Sequence, residues 1–234
     1  MRRPGSLNSK RIQSSDSDVV SITGHIPLVR TELINILAKL INAASYLEIG
    51  VSCGGNFAAV DCPKKVGVDP DVNSLSATYH QTSDEFFACN NETFDLIFID
   101  GLHHREQVLR DIGQALACLN PGGLIVCHDM NPLTESMQKV PMESPEWTGD
   151  CWKAWVTMRA ERPDVRMFVV DTDYGCGIIH PGSQECLDLG GLSLNWNNLC
   201  RYRREWLALI TVPEFFSWIN SYPTIQKVTS AGHS

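Results

Sequence analysis

Glu48, Asp69, Asp100, His128 and Asp129 each stand at the end of a short apolar run. Carboxylates and imidazoles bind cations, accept hydrogen bonds from sugar hydroxyls and move protons. Strand ends meet water, so one or two polar residues there need no further explanation. A set of acids and histidines beside the glycine-rich stretch Gly50-Val-Ser-Cys-Gly54-Gly55 points to a site. Glycine lets the backbone turn tightly and approach a ligand closely. Asp69 then follows at a distance that suits a carboxylate accepting both hydroxyls of a ribose. The glycine stretch is not the complete GxGxxG that cradles a pyrophosphate. Glu48 puts a negative charge where a pyrophosphate would be repelled. A nucleoside with a cationic arm therefore fits better than a dinucleotide.

The runs before these residues must position them. Ser45–Ile49, Val66–Val68, Phe94–Ile99 and Gly123–Cys127 are continuous in apolar character, not alternating. Strands buried on both faces look like this, and they form parallel sheets covered by helices. Ligands bind such sheets at the carboxyl ends of the strands. Ile26, Val29, Leu33, Ile36, Leu37 and Leu40 recur at helical spacing and predict a helix over about 26–43. Val108, Ile112, Ala115 and Leu116 mark a second helix between the last two strands, ended by Asn120-Pro121-Gly122-Gly123. A helix near Asp150 should turn Trp152, Trp155 and Val156 inward. Val165–Val170 and Cys176–His180, joined by a short turn, predict an antiparallel hairpin. Residues 192–219 look helical, with a break at Pro213. The few residues between Gly55 and Val66 allow only a short helix, and no third strand is legible before Phe94.

Composition narrows the class. The chain has 234 residues, is 43% hydrophobic, and carries 19 Lys+Arg against 27 Asp+Glu for a net charge of −8. This suits one domain, read as 21–225 between flexible tails at 1–20 and 226–234. No run approaches the roughly 18 apolar residues of a membrane span. The acidic balance argues against nucleic acid as a partner. Nine cysteines occur without a CxxC pair, mostly in apolar runs. They read as small buried thiols in a reducing, cytoplasmic setting. The N-terminus lacks a secretory apolar region; Arg2, Arg3 and Arg11 among serines suggest a transit peptide, against which Asp16 and Asp18 count.

YLEIGVSCGGNF, VGVDP, FDLIFIDGLHH and LNPGGLIVCHDM, in this order, resemble the class I S-adenosylmethionine-dependent methyltransferases. More narrowly, they resemble the small-molecule O-methyltransferase branch that includes macrolide-sugar and cephamycin-type enzymes. The resemblance covers about residues 44–130. It implies a Rossmann-like, doubly wound, mostly parallel sheet with an antiparallel edge strand and helices on both faces. It implies that Glu48, Gly50, Ser52 and Gly54 line the methionine end of S-adenosylmethionine. Asp69 should hold the ribose, with Asp100 beside it. Thr82, Ser83 and Asp84 fall where such enzymes contact adenine; a helix N-cap is the simpler reading of the same residues.

Transfer of a methyl group to an alcohol needs help with the proton, because the hydroxyl pKa lies near ~16, like that of water. A histidine base or a divalent cation would serve, and Asp100-Gly-Leu-His103 offers both. In sugar O-methyltransferases of this branch the aspartate binds Mg2+ and the histidine is the base. The acidic pair ending the next strand completes the metal site. Here that pair is His128-Asp129, so His128 replaces a carboxylate. Mg2+ prefers oxygen donors; imidazole would favour Mn2+, Fe2+ or Zn2+, or the site holds no metal and His128 is itself a base. Residues 130–150 form a long loop of the kind that covers acceptors. Trp147, Trp152 and Trp155 could wall a ring-bearing substrate, Lys153 could meet an acidic one, and His104, Asp173 and Tyr174 could line the same pocket. The expectation is methyl transfer to a hydroxyl of a small molecule such as a sugar or natural product. The alternatives are N-methylation, a catalytically silent S-adenosylmethionine-binding protein, and an NAD-dependent oxidoreductase. Apolar C-terminal helices would suit a homodimer.

Overall fold

A computed structural model describes residues 28–222; the tails expected at 1–20 and 226–234, and the start of the first predicted helix, lie outside them. Helix α1 (Arg30–Leu40) leads into β1 (Ser45–Ile49), the five-residue α2 (Gly55–Ala59) and β2 (Lys64–Val68). Then come α3 (Ser83–Cys89), β3 (Phe94–Ile99), α4 (Arg105–Ala117) and β4 (Leu119–Cys127). The chain continues through α5 (Cys151–Glu161), β5 (Val165–Val170), β6 (Cys176–Pro181), α6 (Trp196–Leu207), β7 (Leu209–Ile210) and α7 (Val212–Ser221). The strands form one seven-stranded sheet in the order β2-β1-β3-β4-β6-β5-β7. Among the described residues no helix is long and apolar enough to cross a membrane.

Alternation along the central strands sorts the core into two layers. Leu47, Ile49, Ile97, Ile99, Ile125 and Cys127 face one layer, with Ile112 of α4, Trp155 of α5 and Trp206 of α6. Tyr46, Leu96, Phe98, Leu124 and Val126 face the other, with Leu33 and Leu37 of α1 and Phe215 of α7. Successive apolar positions of the central strands thus serve opposite layers, as the continuous runs required.

The fold is the expected mostly parallel α/β sheet, with local differences. Only β6 runs against its neighbours, and it lies between β4 and β5 instead of at the edge. The two-residue β7 pairs parallel with β5 and takes the edge. Strand β4 starts at Leu119, earlier than the Asn-Pro-Gly-Gly stretch suggested. Leu119 pairs with Phe94, and the register then jumps so that Leu124 pairs with Leu96. The surplus residues form a bulge, which Gly122 permits at φ +79°. Pro213 does not interrupt a helix. It sits in the first turn of α7, where its missing N–H costs nothing. Thr211 and Glu214 close that end with a reciprocal capping box. The unseen third strand is not formed among the described residues. Residues 69–82 instead run along β2 as a loop held by one bridge, Val68 to Tyr79.

Candidate active site

The carboxyl ends of β1, β2 and β3 open into a cleft of about 400 Å3. Gly50, Ser52, Asp69, Ser83 and Asp100, named above for the cofactor, line it together with Gln107. Gly50 ends β1 at φ +90°, and a Cβ there would lie 2.1 Å from the Asp100 carbonyl oxygen. Two strand ends thus meet backbone to backbone, which only glycine allows. Asp69 is buried, and its oxygens accept the Ser52 N–H at 2.7 Å and the Asp71 N–H at 2.8 Å. Each oxygen keeps a second lone pair for a ligand hydroxyl. Asp69→Ala should therefore weaken S-adenosylhomocysteine binding about 10–100-fold, the value of one charge-assisted contact, measured calorimetrically.

Three expected cofactor residues stand outside the cleft lining. Gly54, at φ +78°, packs against Ser76, whose Oγ would be 2.2 Å from an added Cβ. Asp84 receives Gln107 Nε2 at 3.1 Å, while the same nitrogen donates to Ser83 Oγ at 3.0 Å. Thr82 caps α3 with Glu85, so the helix-cap reading of this segment holds, and Thr82 and Ser83 also line the cleft. Glu48 is buried beneath the glycine loop. It accepts Tyr46 Oη at 2.5 Å and Asn56 Nδ2 at 2.9 Å. Burial raises its pKa to about 7, against the lowering effect of those two donors.

That shift has a sign that can be measured. The folded protein holds the Glu48 proton between about pH 4.5 and 7, where the unfolded chain has released it. Stability should thus fall as pH rises through this window, by roughly 3 kcal/mol in total. Glu48→Gln removes the share of the slope that Glu48 contributes, leaving that of His103 and His128. Denaturant melts at pH 5 and pH 8 should show the variant gaining on the parent at the higher pH.

Beyond Asp100 the cleft meets a cluster of charges. His103, at the approach to α4, places Nε2 3.3 Å from Asp100 Oδ1 and Nδ1 3.3 Å from Asp129 Oδ2. Nδ1 is also 3.0 Å from the Trp147 carbonyl oxygen. Burial opposes the charged ring, but the hydrogen bond to Asp100 and the charge of Asp129 outweigh it, and the His103 pKa is raised. Asp129 adopts φ +64°, a left-handed conformation rare outside glycine and characteristic of functional sites. His128 Nδ1 lies 3.3 Å from Asp100 and 3.2 Å from Asp129. Burial works against its protonation, Asp100 foremost favours it, and the balance is well upward.

Two residues complete the cluster. Asp173, in the β5–β6 turn, lies 3.6 Å from His128 Nε2 and accepts the Arg30 backbone N–H at 2.9 Å. Its pKa falls to about 2, because His128 and Arg30 overcome the effect of burial. The Arg30 side chain, at the start of α1, has no counterpart in the sequence reading. Its Nη1 is 2.9 Å from Nδ1 and 2.8 Å from Nε2 of His128, and 3.6 Å from Asp100 Oδ2. A guanidinium only donates, so this contact wants a lone pair on the ring, while the carboxylates want the ring charged.

The remaining acceptor-side residues divide. The Trp147 ring centroid lies 5.3 Å from that of His103 and 6.0 Å from that of His104. Its indole N–H donates to the Lys139 carbonyl at 2.6 Å, which fixes the ring beside the histidines. Tyr174 is in the β5–β6 turn, where its carbonyl accepts the Asn131 N–H at 2.7 Å. Trp152 is not a wall. It is fully buried, stacked on Trp206 and donating to Gln138. Helical spacing on α5 turned it to the core, like Trp155. Lys153 is paired with Asp150 at 3.2 Å on its own helix.

Asp100, His103 and Asp129 bring one donor atom each within 4.8 Å of one another. A fixed cation already stands beside this set, with Arg30 Nη1 3.6 Å from Asp100 Oδ2. His103 Nδ1 faces the Trp147 carbonyl oxygen, which leaves Nε2 on the Asp100 side with a lone pair, a disposition that a metal-bound imidazole also shows. His128, the expected further ligand, already carries Arg30 against both of its nitrogens.

Residues 56–130 match the family described as Methyltransferase domain. No curated protein matches the chain. Solved structures share the fold. One is the O-methyltransferase TomG from Streptomyces achromogenes, involved in tomaymycin synthesis and solved with S-adenosylmethionine. It has 16% identity and a TM-score of 0.51 over 65% of this chain and 79% of that one. Another is the methyltransferase PaMTH1 from Podospora anserina, bound to S-adenosylhomocysteine, with 18% identity and a TM-score of 0.51 over 65% and 78%. Cofactor-bound Rv0187 from MTB has 16% identity and a TM-score of 0.51 over 68% and 84%.

Proposed function

We propose that this chain, whose residues 56–130 match a methyltransferase domain and whose fold such enzymes share, transfers a methyl group from S-adenosylmethionine to a hydroxyl of a small molecule. The observation that carries this reading is the position of Asp100. It lines the cofactor cleft and sits 3.3 Å from His103. Donor and base are thereby held on either side of one carboxylate.

In this reading the nucleoside lies over Asp69, with its adenine toward Ser83 and Gln107. The sulfonium methyl points past Asp100 toward the charged cluster. The acceptor oxygen gives its proton to a nitrogen of His103 and attacks the methyl carbon in line. The carbon–sulfur bond breaks with its electron pair going to sulfur, and S-adenosylhomocysteine leaves. The protein's contribution is near-attack geometry together with proton removal. Trp147 offers the acceptor a flat face. The 130–150 segment covers this side, with its ends anchored through buried Met130, Asn131, Met137, Gln138 and Thr148. All nine thiols are free, in accord with a cytoplasmic setting.

The test is turnover with a panel of hydroxyl acceptors, following S-adenosylhomocysteine release. Methylated ethers support the reading. Methylated amines alone would move it to N-transfer. Cofactor binding without turnover on either panel would leave a binding protein.

A further inference from the structure

We propose that the Arg30 guanidinium takes the place of a divalent cation in this site, so that the protein methylates without a metal. The inference rests on the methyl-transfer reading and deepens it. Three observations lead to it.

The first is the donor set at the strand end. His128 brings an imidazole between Asp100 and Asp129, so the all-oxygen set that a hard cation prefers is incomplete there. The second is that the space beside it is filled. Arg30 Nη1 contacts both nitrogens of His128 and lies 3.6 Å from Asp100 Oδ2, while its Nε lies 3.7 Å from Asp173 Oδ2. A fixed positive charge thus sits among the carboxylates that a metal would need. The third is that Arg30 is held there by structure built for it. Its backbone N–H donates to Asp173 at 2.9 Å, and the Leu28 carbonyl accepts Thr172 Oγ1. Asp173 itself adopts φ +45°, a conformation that non-glycine residues take when the surroundings hold them there. The start of α1 is thereby pinned to the β5–β6 turn with the guanidinium aimed at the strand ends.

A guanidinium is permanently charged, planar and rich in N–H donors. Beside an acceptor hydroxyl it stabilises the negative charge that grows as His103 removes the proton. It also takes up the approach to Asp100 and Asp173 that a metal ion would need. Arg30 is therefore an electrostatic and positioning residue, while proton transfer stays with His103.

The experiment titrates Mn2+ into the full-length protein saturated with S-adenosylhomocysteine, read by calorimetry and by the electron paramagnetic resonance of free Mn2+. The parent should bind no Mn2+ at millimolar concentration and should lose no activity in EDTA. Arg30→Met should acquire one Mn2+ site, with at least a tenfold gain in affinity, and Asp100→Asn in that background should remove it. Arg30→Lys, which keeps the charge, should still bind none. Arg30→Gln serves if the Met variant does not fold. Stoichiometric Mn2+ binding by the parent, lost in Asp100→Asn, overturns the proposal. So does a folded Arg30→Met or Arg30→Gln that binds no Mn2+. The initial S-adenosylhomocysteine titration separates the two readings. Failure there sinks the methyl-transfer assignment, whereas failure only in the Mn2+ arm sinks the role of Arg30.

Discussion

His103→Gln should bind S-adenosylhomocysteine as the parent does and turn over about 10²–10⁴-fold more slowly. His103 is not part of the cofactor cleft lining, so the donor's contacts are untouched. Glutamine keeps an N–H to offer Asp100 and Trp147 but has no nitrogen lone pair to take a proton. The loss should fall on kcat, with little change in the KM for S-adenosylmethionine. Single-turnover rates beside a calorimetric titration measure both. Parental turnover in this variant would remove His103 from the chemistry and leave His128 as the nearest imidazole.

Gly50→Ala should abolish cofactor binding and destabilise the protein by about 3 kcal/mol or more, a size reserved for backbone collisions and buried defects. The added methyl would meet the Asp100 carbonyl at 2.1 Å, and φ +90° suits no side chain. The collision is between main chains, so no rotamer relieves it. Relief must come from separating the ends of β1 and β3, which are joined there by the Asp100 N–H to Ile49 carbonyl bond of 2.8 Å. That movement carries Asp100 out of both the cleft and the charged cluster. Thermal melts and calorimetry test the two halves of the prediction. A variant that melts and binds like the parent would mean that the strand ends flex freely.

The parts of this architecture legible in the sequence are those set by local periodicity. Phe94–Ile99 and Leu124–Cys127 are buried on both faces, and an uninterrupted apolar run says so directly. The acids at their ends, Asp100 and Asp129, follow because a chain leaving such a strand emerges at the ligand-binding edge. Arg30 was illegible for the opposite reason. As a residue of α1 it is an ordinary charged helix start, and its meaning arises from where that helix crosses the sheet. Trp152 shows the same limit from the other side. Helical spacing turns it inward with Trp155 and Val156, and it is Trp206, far along the chain, that takes the face a substrate would need. Strand β7 is two residues long, too short for any pattern to mark. The early start of β4 was hidden because Pro and Gly mark turns and bulges alike.

The loop that replaces a third strand has a colloidal consequence. Strand β2 is an edge of the sheet, and edges with free carbonyl and amide groups recruit other chains. Here the Thr78 and Tyr79 N–H groups both donate to the Gly67 carbonyl, and the Asp69 N–H donates to Tyr79. Lys65 turns its ammonium onto the Phe57, Ala58 and Val60 carbonyls, and Lys64 pairs with Glu92. The segment that shields this edge from intermolecular pairing also supplies Asp69, Pro70 and Thr82 to the cleft. Shielding of the sheet edge and lining of the cleft therefore draw on the same stretch of chain.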